Sequence, residues 1–442
     1  MSNSNPSMRI VVVGTGHVGL VTAATLASLG HDVVGVDGDP GVVAGLREGH
    51  CPFFEPGLDQ LVDEGLESGR LRFEEVPAPP LAGAEVAFIC VGTPGRPSGE
   101  PNLVGVEQVA TTIGRCATAG MVVVEKSTVP VQTAERIRVT LERTSPHRFH
   151  VVSNPEFLRE GQAVEDSLRP ERILVGASDP VGHEVMRKVY RPLLDAGVPF
   201  HATDLPTAEL AKHACNAFLA LKISFANALA RVCETAGADI VKIADIMGSD
   251  PRIGRGYLDA GLGFGGSCFP KDLAAFRAQA ARLGYDFHLL DEVVRINDEA
   301  LESAFGKIRE VLWNLEGKRI ALLGLAFKPG TDDVRESPAL RLASMLLAAG
   351  ACVVGHDPRA NDNAKAELPD LEVVCDPYAA AEQAHCVVVA TEWPEFADLD
   401  LVRLKGVLTH PIVVDCRNLF APAAMEKTGL IYVPTGRPVV NL

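Results

Sequence analysis

The sequence contains no apolar run long enough to cross a membrane. Its longest runs, such as Ile10 to Val13 and Val86 to Val91, have the length of strands. A spanning helix needs about 18 consecutive apolar residues, so no transmembrane segment is expected. The segment from Met1 to Met8 is polar and has no basic leader followed by an apolar core. We therefore expect no secretory signal, and a cytoplasmic protein that does not associate with membranes.

Positive charge is also scarce, since 41 Lys and Arg residues stand against 57 Asp and Glu residues and the net charge is −16. A balance of this sign repels nucleic acid and anionic membrane surfaces, so neither is expected as a partner. The ten cysteines include no C-x-x-C pair, which is the common zinc and redox motif, and no metal site is expected. We expect reduced thiols that lie mostly in the core.

The chain has 442 residues, 47% of them hydrophobic, which is enough for about three domains that each bury a core. A β-branched run from Met8 to Val13 leads into Gly14, Gly16 and Gly19 of a G-x-G-x-x-G motif. A helical stretch from Leu20 to Leu29 follows. The order of strand, glycine turn and helix predicts a dinucleotide-binding βαβ unit.

A second strand-like run ends at Asp37, which lies 18 residues beyond Gly19. This is close to the position of the carboxylate that holds the adenosine ribose in dinucleotide-binding folds. The helix N-terminus at His17 and Val18 supplies N–H donors for pyrophosphate. We predict NAD as the cofactor in preference to NADP, because a 2′-phosphate would meet the Asp37 carboxylate.

Further strand-like runs alternate with helical stretches, which predicts a parallel sheet covered on both faces. Apolar residues spaced by three and four from Thr207 to Ala236 predict one long helix that bridges domains and carries a subunit interface. A second strand–turn–helix unit begins near Lys318, where Arg319 to Gly324 resembles Arg9 to Gly14. The expected fold is α/β, with two Rossmann-like doubly wound parallel-sheet domains joined by a long central helix.

The domain boundaries follow from this organisation. We expect an N-terminal NAD-binding domain over 1–203, a central helical dimerisation domain with a cysteine loop over 204–315, and a C-terminal Rossmann-like domain over 316–442. The C-terminal domain has no G-x-G-x-x-G motif, so it need not bind a dinucleotide.

Cys268 differs from the other cysteines because it follows a glycine-rich run from Gly263 to Gly266 and precedes Pro270, which suits the first turn of a helix. A thiol at a helix N-terminus has a lowered pKa, which makes Cys268 a candidate nucleophile. Asp272 lies four residues further on and shares the helix face of the thiol. For the other cysteines an inert buried thiol is the expectation.

Two further pairs have the spacing of one helical turn, namely Glu156 with Glu160 and Lys212 with Asn216. Such a pair is more often a solvated helix face than part of a site. Asn216 is an exception because it lies on a largely apolar stretch, where an amide is expected to have a hydrogen-bond partner.

Together these segments resemble the UDP-glucose/GDP-mannose dehydrogenase family over nearly the whole chain. The motifs that carry the resemblance are GTGHVG at 14–19, EPGL at 55–58, VGTP at 91–94, STVP at 127–130, NPEFLREG at 154–161, Lys212 with Asn216, RIG at 252–254, GFGGSCFPKD at 263–272 and GLAFKPGTDDVRES at 324–337. The glycine at 161 is similar to the UDP-glucose branch of the family.

The resemblance implies a four-electron oxidation of the C6 alcohol of UDP-glucose to UDP-glucuronate by a homodimer that uses two NAD in succession. It implies a thiohemiacetal and then a thioester on Cys268. The catalytic residues it implies are Cys268, Lys212, Asn216, Asp272, Glu156, Glu160 and Thr128. The cofactor would contact Gly14, Gly16, His17, Val18, Gly19, Asp37, Thr93, Thr128, Glu160 and Arg335. The substrate would contact Phe157, Leu158, Lys212, Asn216, Arg252, Tyr257, Phe264, Gly265 and Lys328, with Arg252 offered by a neighbouring subunit and the C-terminal domain binding the UDP-sugar.

Two alternatives stay open at this point. The same chemistry could act on another nucleotide sugar, such as GDP-mannose or a UDP-N-acetylhexosamine. The chain could instead be a catalytically silent NAD-binding regulator. A regulator would keep the glycine motif and Asp37, but it would have no reason to keep Cys268, Lys212, Asn216 and Asp272 together.

Overall fold

A computed structural model of the chain describes residues 7–442, so most of the polar N-terminal segment considered above lies outside the described residues. The described chain divides into two compact units. The first contains the residues up to Cys215 together with Ala274–Gly284, and the second contains Asn216–Leu273 together with Tyr285–Leu442. The three boundaries predicted from the sequence stay a prediction.

Strands and helices alternate along the first part of the chain, as the sequence predicts. The elements are β1 (Arg9–Val13), α1 (His17–Ser28), β2 (Asp32–Val36), α2 (Pro40–Arg47), α3 (Leu58–Glu67), β3 (Leu71–Glu74), α4 (Ala78–Leu81), β4 (Val86–Ile89), α5 (Val104–Cys116), β5 (Val122–Glu125), α6 (Thr133–Thr144), β6 (His150–Ser153), α7 (Ala163–Leu168), β7 (Ile173–Ala177), α8 (Pro180–Val189), α9 (Arg191–Asp195), β8 (Phe200–Thr203) and α10 (Leu205–Ala236).

The strands of the first unit form one sheet in the order β3-β2-β1-β4-β5-β6-β7-β8. Strands β1 to β6 pair in parallel, which confirms the predicted parallel sheet for this part of the unit. Strand β7 runs antiparallel to β6, so the expectation of a wholly parallel sheet is wrong at this pair. The connection through the short α7 does not return the chain to the starting edge of the sheet, and β7 therefore runs back along β6.

The central strands are buried on both faces, which is typical of a parallel sheet covered by helices. Val12 and Phe88 belong to the apolar core on one face, and Val11 and Ile89 belong to the core on the other. The continuous apolar runs that mark these strands in the sequence therefore reflect burial on two sides rather than alternation.

The second part of the chain repeats the alternation after a helical stretch. Its elements are α11 (Ile240–Gly248), α12 (Phe269–Arg282), α13 (His288–Leu312), β9 (Arg319–Leu323), α14 (Pro338–Ala348), β10 (Cys352–His356), α15 (Asn361–Glu367), β11 (Glu372–Val373), α16 (Pro377–Ala381), β12 (Cys386–Val389), α17 (Pro394–Ala397), α18 (Leu401–Val407), β13 (Ile412–Asp415), α19 (Pro422–Thr428) and β14 (Ile431–Pro434). Its sheet has the order β11-β10-β9-β12-β13-β14 and all its pairs are parallel. The predicted second Rossmann-like sheet is confirmed.

Helix α10 is continuous over 32 residues, which confirms the long helix predicted from the apolar spacing. Its first part belongs to the first unit and its second part to the second. Within residues 7–442, no helix is both long and apolar enough to cross a membrane.

The cysteines are all free thiols, but they are less buried than expected. Cys90, Cys233, Cys386 and Cys416 are buried, whereas the others are partly or fully exposed. The expectation of mostly core thiols is therefore wrong. Cys352, for example, is exposed because it is the first residue of β10 and precedes the buried part of that strand.

Glu125 is an unusual core residue because it ends β5 in the middle of the first sheet with 1% of its surface exposed. Neither of its carboxyl oxygens has a hydrogen-bond partner within the described chain. Burial raises the pKa of Glu125 well above its usual value, because the charged form would lose its hydration. The protonated form of the carboxyl is therefore favoured more strongly in the folded protein than in water.

This burial predicts a pH dependence of stability. In the unfolded chain Glu125 ionises above about pH 4.3, whereas in the folded protein it stays protonated to higher pH. Its contribution to the free energy of unfolding is thus fully present at low pH and is lost as the pH rises toward the folded-state pKa. We expect Glu125→Gln to reduce the fall in melting temperature between pH 5 and pH 8, measured by calorimetry.

The exposed Glu107 on α5 provides the control, because Glu107→Gln changes a carboxylate that is already solvated. Parallel melting profiles for wild type and Glu125→Gln over the same pH range would contradict the raised pKa of the buried carboxyl.

Candidate active site

The glycine turn between β1 and α1 has the geometry that a dinucleotide requires. Gly14 has a φ of +94°, and a Cβ on it would lie 2.8 Å from the carbonyl oxygen of Cys90. A Cβ on Gly19 would lie 1.8 Å from the carbonyl oxygen of Gly14, so helix and turn pack closely there. A Cβ on Gly16 would meet no atom within 4 Å, which leaves an open cradle over the turn. This cradle and the helix N-terminus beside it fit the pyrophosphate of NAD.

The first residues of α1 lie directly beside this turn. His17 begins the helix, and its ring stacks on Phe53 with 3.8 Å between ring centroids. The carbonyl oxygen of Val18 accepts a hydrogen bond from the hydroxyl of Thr22 at 2.6 Å. The first N–H groups of a helix have no partner inside the helix, so His17 and Val18 lie where backbone donors can hold an anion.

Asp37 follows β2 at the carboxyl edge of the sheet, where the sequence predicts the ribose carboxylate. Its Oδ2 accepts hydrogen bonds from the backbone N–H of Thr15 at 2.9 Å and from the Thr15 hydroxyl at 2.8 Å. The carboxylate is partly exposed and is thus accessible to a hydroxyl group of the cofactor. The donor and acceptor set of this turn fits NAD.

Two of the predicted motifs meet where β4 and β5 end. The hydroxyl of Thr93 donates to the carbonyl oxygen of Thr128 at 2.9 Å. The hydroxyl of Ser127 donates to the carbonyl oxygen of Val91 at 2.8 Å. Thr128 is partly exposed, whereas Thr93 is buried. The structure therefore brings the VGTP and STVP segments together at the carboxyl edge of the first sheet, where ligands bind in such folds.

Helix α10 carries a buried polar stripe made of Glu209, Lys212, His213 and Asn216, which we call the α10 polar stripe. The spacing of these four residues places them on one face of the helix. Each is at least 93% buried, so each needs a partner. The partners come from several of the loops that the family resemblance singles out.

Glu209 and His213 hold the chain that follows Thr128. The carboxylate of Glu209 accepts from the backbone N–H groups of Gln132 and Ala134, each at 2.7 Å. His213 donates from Nε2 to the carbonyl oxygen of Val129 at 2.9 Å. Burial raises the pKa of Glu209 to about 7. The STVP segment is thereby fixed against the helix.

Lys212 forms a buried ion pair with Glu156, with 2.7 Å between Nζ and Oε1. The other oxygen of Glu156 accepts from the backbone N–H of Leu158 at 2.5 Å. The segment from Asn154 to Gly161 is irregular rather than helical. Our expectation of Glu156 and Glu160 on a solvated helix face is therefore wrong, because Pro155 and the left-handed Gly161 (φ +80°) break the helix and Glu156 turns inward.

The residues beside Glu156 extend this cluster. The Phe157 ring lies between two cations, with the Arg172 guanidinium 4.1 Å and the Lys212 Nζ 5.5 Å from its centroid. Leu158 is partly buried against the apolar core of the first unit, and Glu160 is partly buried. Lys212 is therefore in ion-pair contact with Glu156 and in cation–π contact with Phe157.

Glu55 of the EPGL motif fixes the end of the same segment. Its two carboxylate oxygens accept from the backbone N–H groups of Gly161 at 2.7 Å and Ala163 at 2.8 Å. The motif named in the family resemblance therefore has a structural basis, since a buried carboxylate caps the start of α7 and anchors the NPEFLREG segment.

Cys268 immediately precedes α12, as the sequence predicts. Its carbonyl oxygen accepts the backbone N–H of Asp272 at 2.8 Å, which is the first hydrogen bond of the helix. Its Sγ lies 3.6 Å from the hydroxyl oxygen of Ser267. The thiol is partly exposed, and it thus has the helix-terminal, accessible placement of a nucleophile.

Asn216 has the partner that its apolar surroundings demand. Its side-chain N–H donates to Oδ2 of Asp272 at 2.7 Å, and both residues are buried. The second oxygen of Asp272 lies 3.2 Å from the Nζ of Lys271. The last member of the α10 polar stripe therefore orients a carboxylate on the first turn of the helix that Cys268 begins.

The glycine loop before Cys268 is clamped by side-chain amides. Asn297 on α13 accepts from the backbone N–H of Phe264 at 2.7 Å and donates to the Phe264 carbonyl oxygen at 3.1 Å. Asn227 on α10 accepts from the N–H of Gly261 at 2.7 Å. A Cβ on Gly263 would lie 2.6 Å from Oδ1 of Asn297, so glycine is required there. The loop has little freedom to move.

The loop is also tied to the GLAFKPGTDDVRES segment. The N–H of Gly266 donates to the carbonyl oxygen of Arg335 at 3.0 Å, and a Cβ on Gly265 would lie 2.2 Å from the carbonyl oxygen of Glu336. The Phe327 ring would meet a Cβ on Gly266 at 2.7 Å. Two motifs that are distant in sequence thus form one packed structure in the second unit.

The remaining predicted residues have less specific surroundings. Phe264 packs edge-on against Phe269, and Tyr257 has a φ of +65° and tilts over the same ring at 6.2 Å. The Nζ of Lys328 lies 5.5 Å from the centroid of Phe327.

Two predicted arginines instead pair with neighbouring carboxylates. The guanidinium of Arg335 binds Asp333 through two nitrogens. Arg252, with 87% of its side chain exposed, pairs with Asp250. The role predicted for Arg252 across a subunit interface stays a prediction.

Sequence reasoning missed four residues that hold these loops, namely Glu55, Glu209, His213 and Asn297. The expectation for Asn216 came from a polar residue within an apolar stretch, and three of these four residues show the same pattern. Glu209, His213 and Asn297 each interrupt the buried face of an otherwise apolar helix pattern.

The two Rossmann-like sheets, the open glycine cradle and the helix-terminal thiol are those of an NAD-dependent dehydrogenase. Three parts of the chain match domain models of one family, the UDP-glucose/GDP-mannose dehydrogenase family: residues 8–194 its NAD binding domain, 206–299 its central domain and 321–422 its UDP binding domain. The chain belongs to this family, which confirms the resemblance seen in the sequence motifs.

Individual relatives are similar over almost the full length. The chain is 44% identical over 437 residues to UDP-glucose 6-dehydrogenase of Rhizobium meliloti, covering 98% of this chain and 100% of that one. It is 41% identical over 436 residues to UDP-glucose 6-dehydrogenase TuaD of Bacillus subtilis, covering 98% and 94%. A UDP-glucose dehydrogenase structure from Pyrobaculum islandicum superposes with a TM-score of 0.92 at 39% identity, covering 99% of this chain and 100% of that one.

The amide clamp on the cysteine loop makes a specific prediction. Asn297→Ala removes both hydrogen bonds to Phe264 and leaves buried backbone groups unpaired, at a cost of about 1–3 kcal/mol in the free energy of unfolding. Because the loop positions Cys268, we expect kcat to fall about tenfold or more while the KM for NAD changes little. Steady-state kinetics below the melting temperature of the variant measure both.

The exposed Asn314, which follows α13, supplies a matched substitution. Asn314→Ala is expected to leave kcat and stability within error of wild type. A kcat for Asn297→Ala within twofold of wild type would show that the hydrogen bonds of Asn297 do not position the loop for catalysis.

Proposed function

We propose that this chain oxidises the C6 alcohol of UDP-glucose to the carboxylate of UDP-glucuronate in two successive two-electron steps. The observation that carries the proposal is the placement of Cys268 at the first turn of α12, on a glycine loop clamped by Asn297 and by the backbone of Arg335. The relatives named UDP-glucose 6-dehydrogenase, aligned over nearly the full chain, support the choice of substrate.

Cys268 solves the chemical problem of the second step. The aldehyde formed by the first oxidation has no hydride in a leaving position until a nucleophile adds to its carbon. Addition of the Cys268 thiolate forms a C–S bond, and the former carbonyl oxygen takes up a proton to give a thiohemiacetal. Oxidation of this adduct gives a thioester. Water then attacks the thioester carbonyl, the C–S bond breaks, and the acid and the free thiol are released.

Bound NAD supplies the hydride acceptor for each oxidation. The residues assigned to hold it are Gly14, Gly16, His17, Val18, Gly19 and Asp37 on the glycine turn, with Thr93, Thr128, Glu160 and Arg335 at its other contacts. The open cradle at Gly16 and the partly exposed Asp37 carboxylate support the first group.

Lys212 and Asn216 are assigned to stabilise the oxyanions that arise at C6. The Nζ of Lys212 is buried and paired with Glu156, and we assign it as the cationic donor to these oxyanions. Asn216 has its amide oriented by Asp272. Glu156, Glu160 and Asp272 are the carboxylates assigned to move protons or position water, and Thr128 is assigned to the same reaction zone.

The nucleotide sugar is assigned to Phe157, Leu158, Tyr257, Phe264, Gly265 and Lys328. The Phe157 ring next to Lys212 offers an apolar surface beside the cation. The cation of Lys328 lies within the segment that holds the cysteine loop and matches the family's UDP binding domain. We assign the domains to 1–203, 204–315 and 316–442 and place the protein in the cytoplasm.

Substitution of the nucleophile tests the mechanism. We expect Cys268→Ser to lower steady-state NADH production at least about 1,000-fold, because a serine hydroxyl is a far poorer nucleophile near neutral pH. Any ester formed would hydrolyse more slowly than the thioester, so intact-protein mass spectrometry with UDP-glucose and NAD looks for a sugar adduct on the new serine.

The exposed Cys375 serves as the matched control, since Cys375→Ser makes the same atomic change elsewhere. It is expected to keep full activity. Near-normal NADH production by Cys268→Ser would overturn the covalent mechanism and would require oxidation of the aldehyde as its hydrate.

We further propose a homodimer formed through α10. Four large apolar residues on this helix are exposed, at 41% for Leu210, 62% for Phe218, 50% for Phe225 and 60% for Val232. Their spacing of seven and eight residues lines them along one side of the helix. An apolar stripe of this length is typical of a surface that a second subunit covers.

Charge placed in this stripe is expected to dissociate the dimer. Phe218→Glu combined with Phe225→Glu would bury two carboxylates in an apolar interface, so light scattering at micromolar concentration is expected to give the monomer mass. The control Val402→Glu alters a still more exposed apolar residue on α18 and is expected to stay dimeric. A monomeric wild type, or an unchanged mass for the double variant, contradicts this interface.

A further inference from the structure

Thr15, the middle residue of Gly14-Thr15-Gly16, makes two hydrogen bonds to one carboxylate oxygen. Its backbone N–H lies 2.9 Å and its hydroxyl 2.8 Å from Oδ2 of Asp37. Thr15 is 1% exposed, and both bonds are part-buried because the Asp37 carboxylate is partly exposed. The side chain is packed, since a Cβ on Gly35 would lie 3.3 Å from the Thr15 methyl carbon.

These two bonds leave the other oxygen of Asp37 nearly unused by the protein. Oδ1 accepts a single hydrogen bond, from the backbone N–H of Asp39 at 3.1 Å. A carboxylate has about four lone-pair sites, of which three are thus filled. One site on Oδ1 is therefore left to accept a hydroxyl group of a ligand.

The second sheet also has a glycine turn after its first strand in the chain and an aspartate after the next strand. Gly14 has a φ of +94°, and its N–H donates to the carbonyl oxygen of Val36 at 2.8 Å. Gly324 has a φ of +92°, and its N–H donates to the carbonyl oxygen of His356 at 2.8 Å. Asp357 follows β10 as Asp37 follows β2. The two sheets therefore present the same carboxylate at the same place.

The acceptor sites of the Asp357 carboxylate, however, are all occupied by N–H donors of the protein. Its Oδ2 accepts from the N–H groups of Leu325 at 2.7 Å, Ala326 at 3.0 Å and the Trp393 indole at 3.1 Å. Its Oδ1 accepts from the N–H groups of Arg359 and Ala360, each at 2.9 Å, and its exposure is 0%. No acceptor site is left for a ribose, so this carboxylate is purely structural.

Leu325 occupies the position of Thr15 and offers only its backbone N–H to Oδ2 of Asp357. The second and third donors to that oxygen are the Ala326 N–H and the Trp393 indole. In the first sheet the Thr15 hydroxyl is the only other donor to Oδ2 of Asp37 among the described residues. Without it, one backbone N–H on each oxygen, that of Thr15 on Oδ2 and the longer one of Asp39 on Oδ1, would hold a carboxylate whose terminal torsion is intrinsically broad.

We propose that Thr15 is a positioning residue for the cofactor: its hydroxyl fixes the Asp37 carboxylate with one oxygen saturated and the other open to a ribose hydroxyl of NAD. This inference rests on the proposed role of Asp37 in holding that ribose. It assigns the preference for NAD over NADP to the pair of residues rather than to the aspartate alone.

Thr15→Val tests the proposal because valine keeps both branches of the side chain and removes only the hydroxyl. We expect the Kd for NAD, measured by titration calorimetry without sugar, to rise about fivefold, which is the effect of losing one oriented hydrogen bond. The ratio of NAD to NADP affinity is expected to fall by a similar factor. Thr15→Ser, which restores the hydroxyl, is expected to bind NAD within twofold of wild type. Thr15→Ala removes the hydroxyl as well and gives a second reading if the valine variant folds poorly.

Thr25→Val is the matched control. Thr25 is buried on α1 next to the same sheet, and its hydroxyl has no hydrogen-bond partner in the described chain. Unchanged NAD affinity in Thr15→Val, or equal weakening in Thr15→Ser and Thr15→Val, would overturn the proposal. Because NAD binding is measured without sugar, a wild type that binds NAD but does not oxidise UDP-glucose would contradict the proposed function and leave this inference standing.

Discussion

The constraint on which the rest of the structure depends is the α10 polar stripe. Four buried polar side chains on one helix face must be hydrogen-bonded, because an unpaired polar group in the core costs about 1–3 kcal/mol. Each finds its partner on a different piece of chain: Glu209 at the start of α6, His213 at Val129, Lys212 at Glu156 and Asn216 at Asp272. Within the first unit, α10 thus holds Glu156, Val129 and the start of α6, and within the second unit it holds Asp272.

This arrangement explains why the active-site motifs are short and scattered. Each motif contributes a few atoms to a hydrogen bond with a helix or a neighbouring segment. Buried amides and carboxylates such as Asn297 and Glu55 extend the same principle to the cysteine loop and to the NPEFLREG segment. Pre-organisation of this kind places reacting groups before substrate arrives.

Much of the fold could be predicted from the sequence because strand order, glycine turns and the long helix leave local signatures. Residue spacing alone predicts the glycine motif with Asp37 and the helix-terminal Cys268. The apolar surroundings of Asn216 in the sequence predict that its amide has a hydrogen-bond partner, but not which residue this is. The antiparallel β7 and the inward turn of Glu156 could not be predicted, since each depends on how a connection without regular structure folds back. Glu209 and His213 carry the same signal as Asn216, a polar residue on an apolar helix stretch, but which backbone groups they bind depends on tertiary packing.

The central claim is that one chain oxidises the same carbon twice while Cys268 holds the intermediate. The most direct measurement counts the NADH formed for each UDP-glucose consumed when the reaction runs to completion, with GDP-mannose and a UDP-N-acetylhexosamine as comparison sugars. The account predicts two NADH per UDP-glucose and UDP-glucuronate as the product. One NADH per sugar with release of the aldehyde, or turnover only with a comparison sugar, would contradict it.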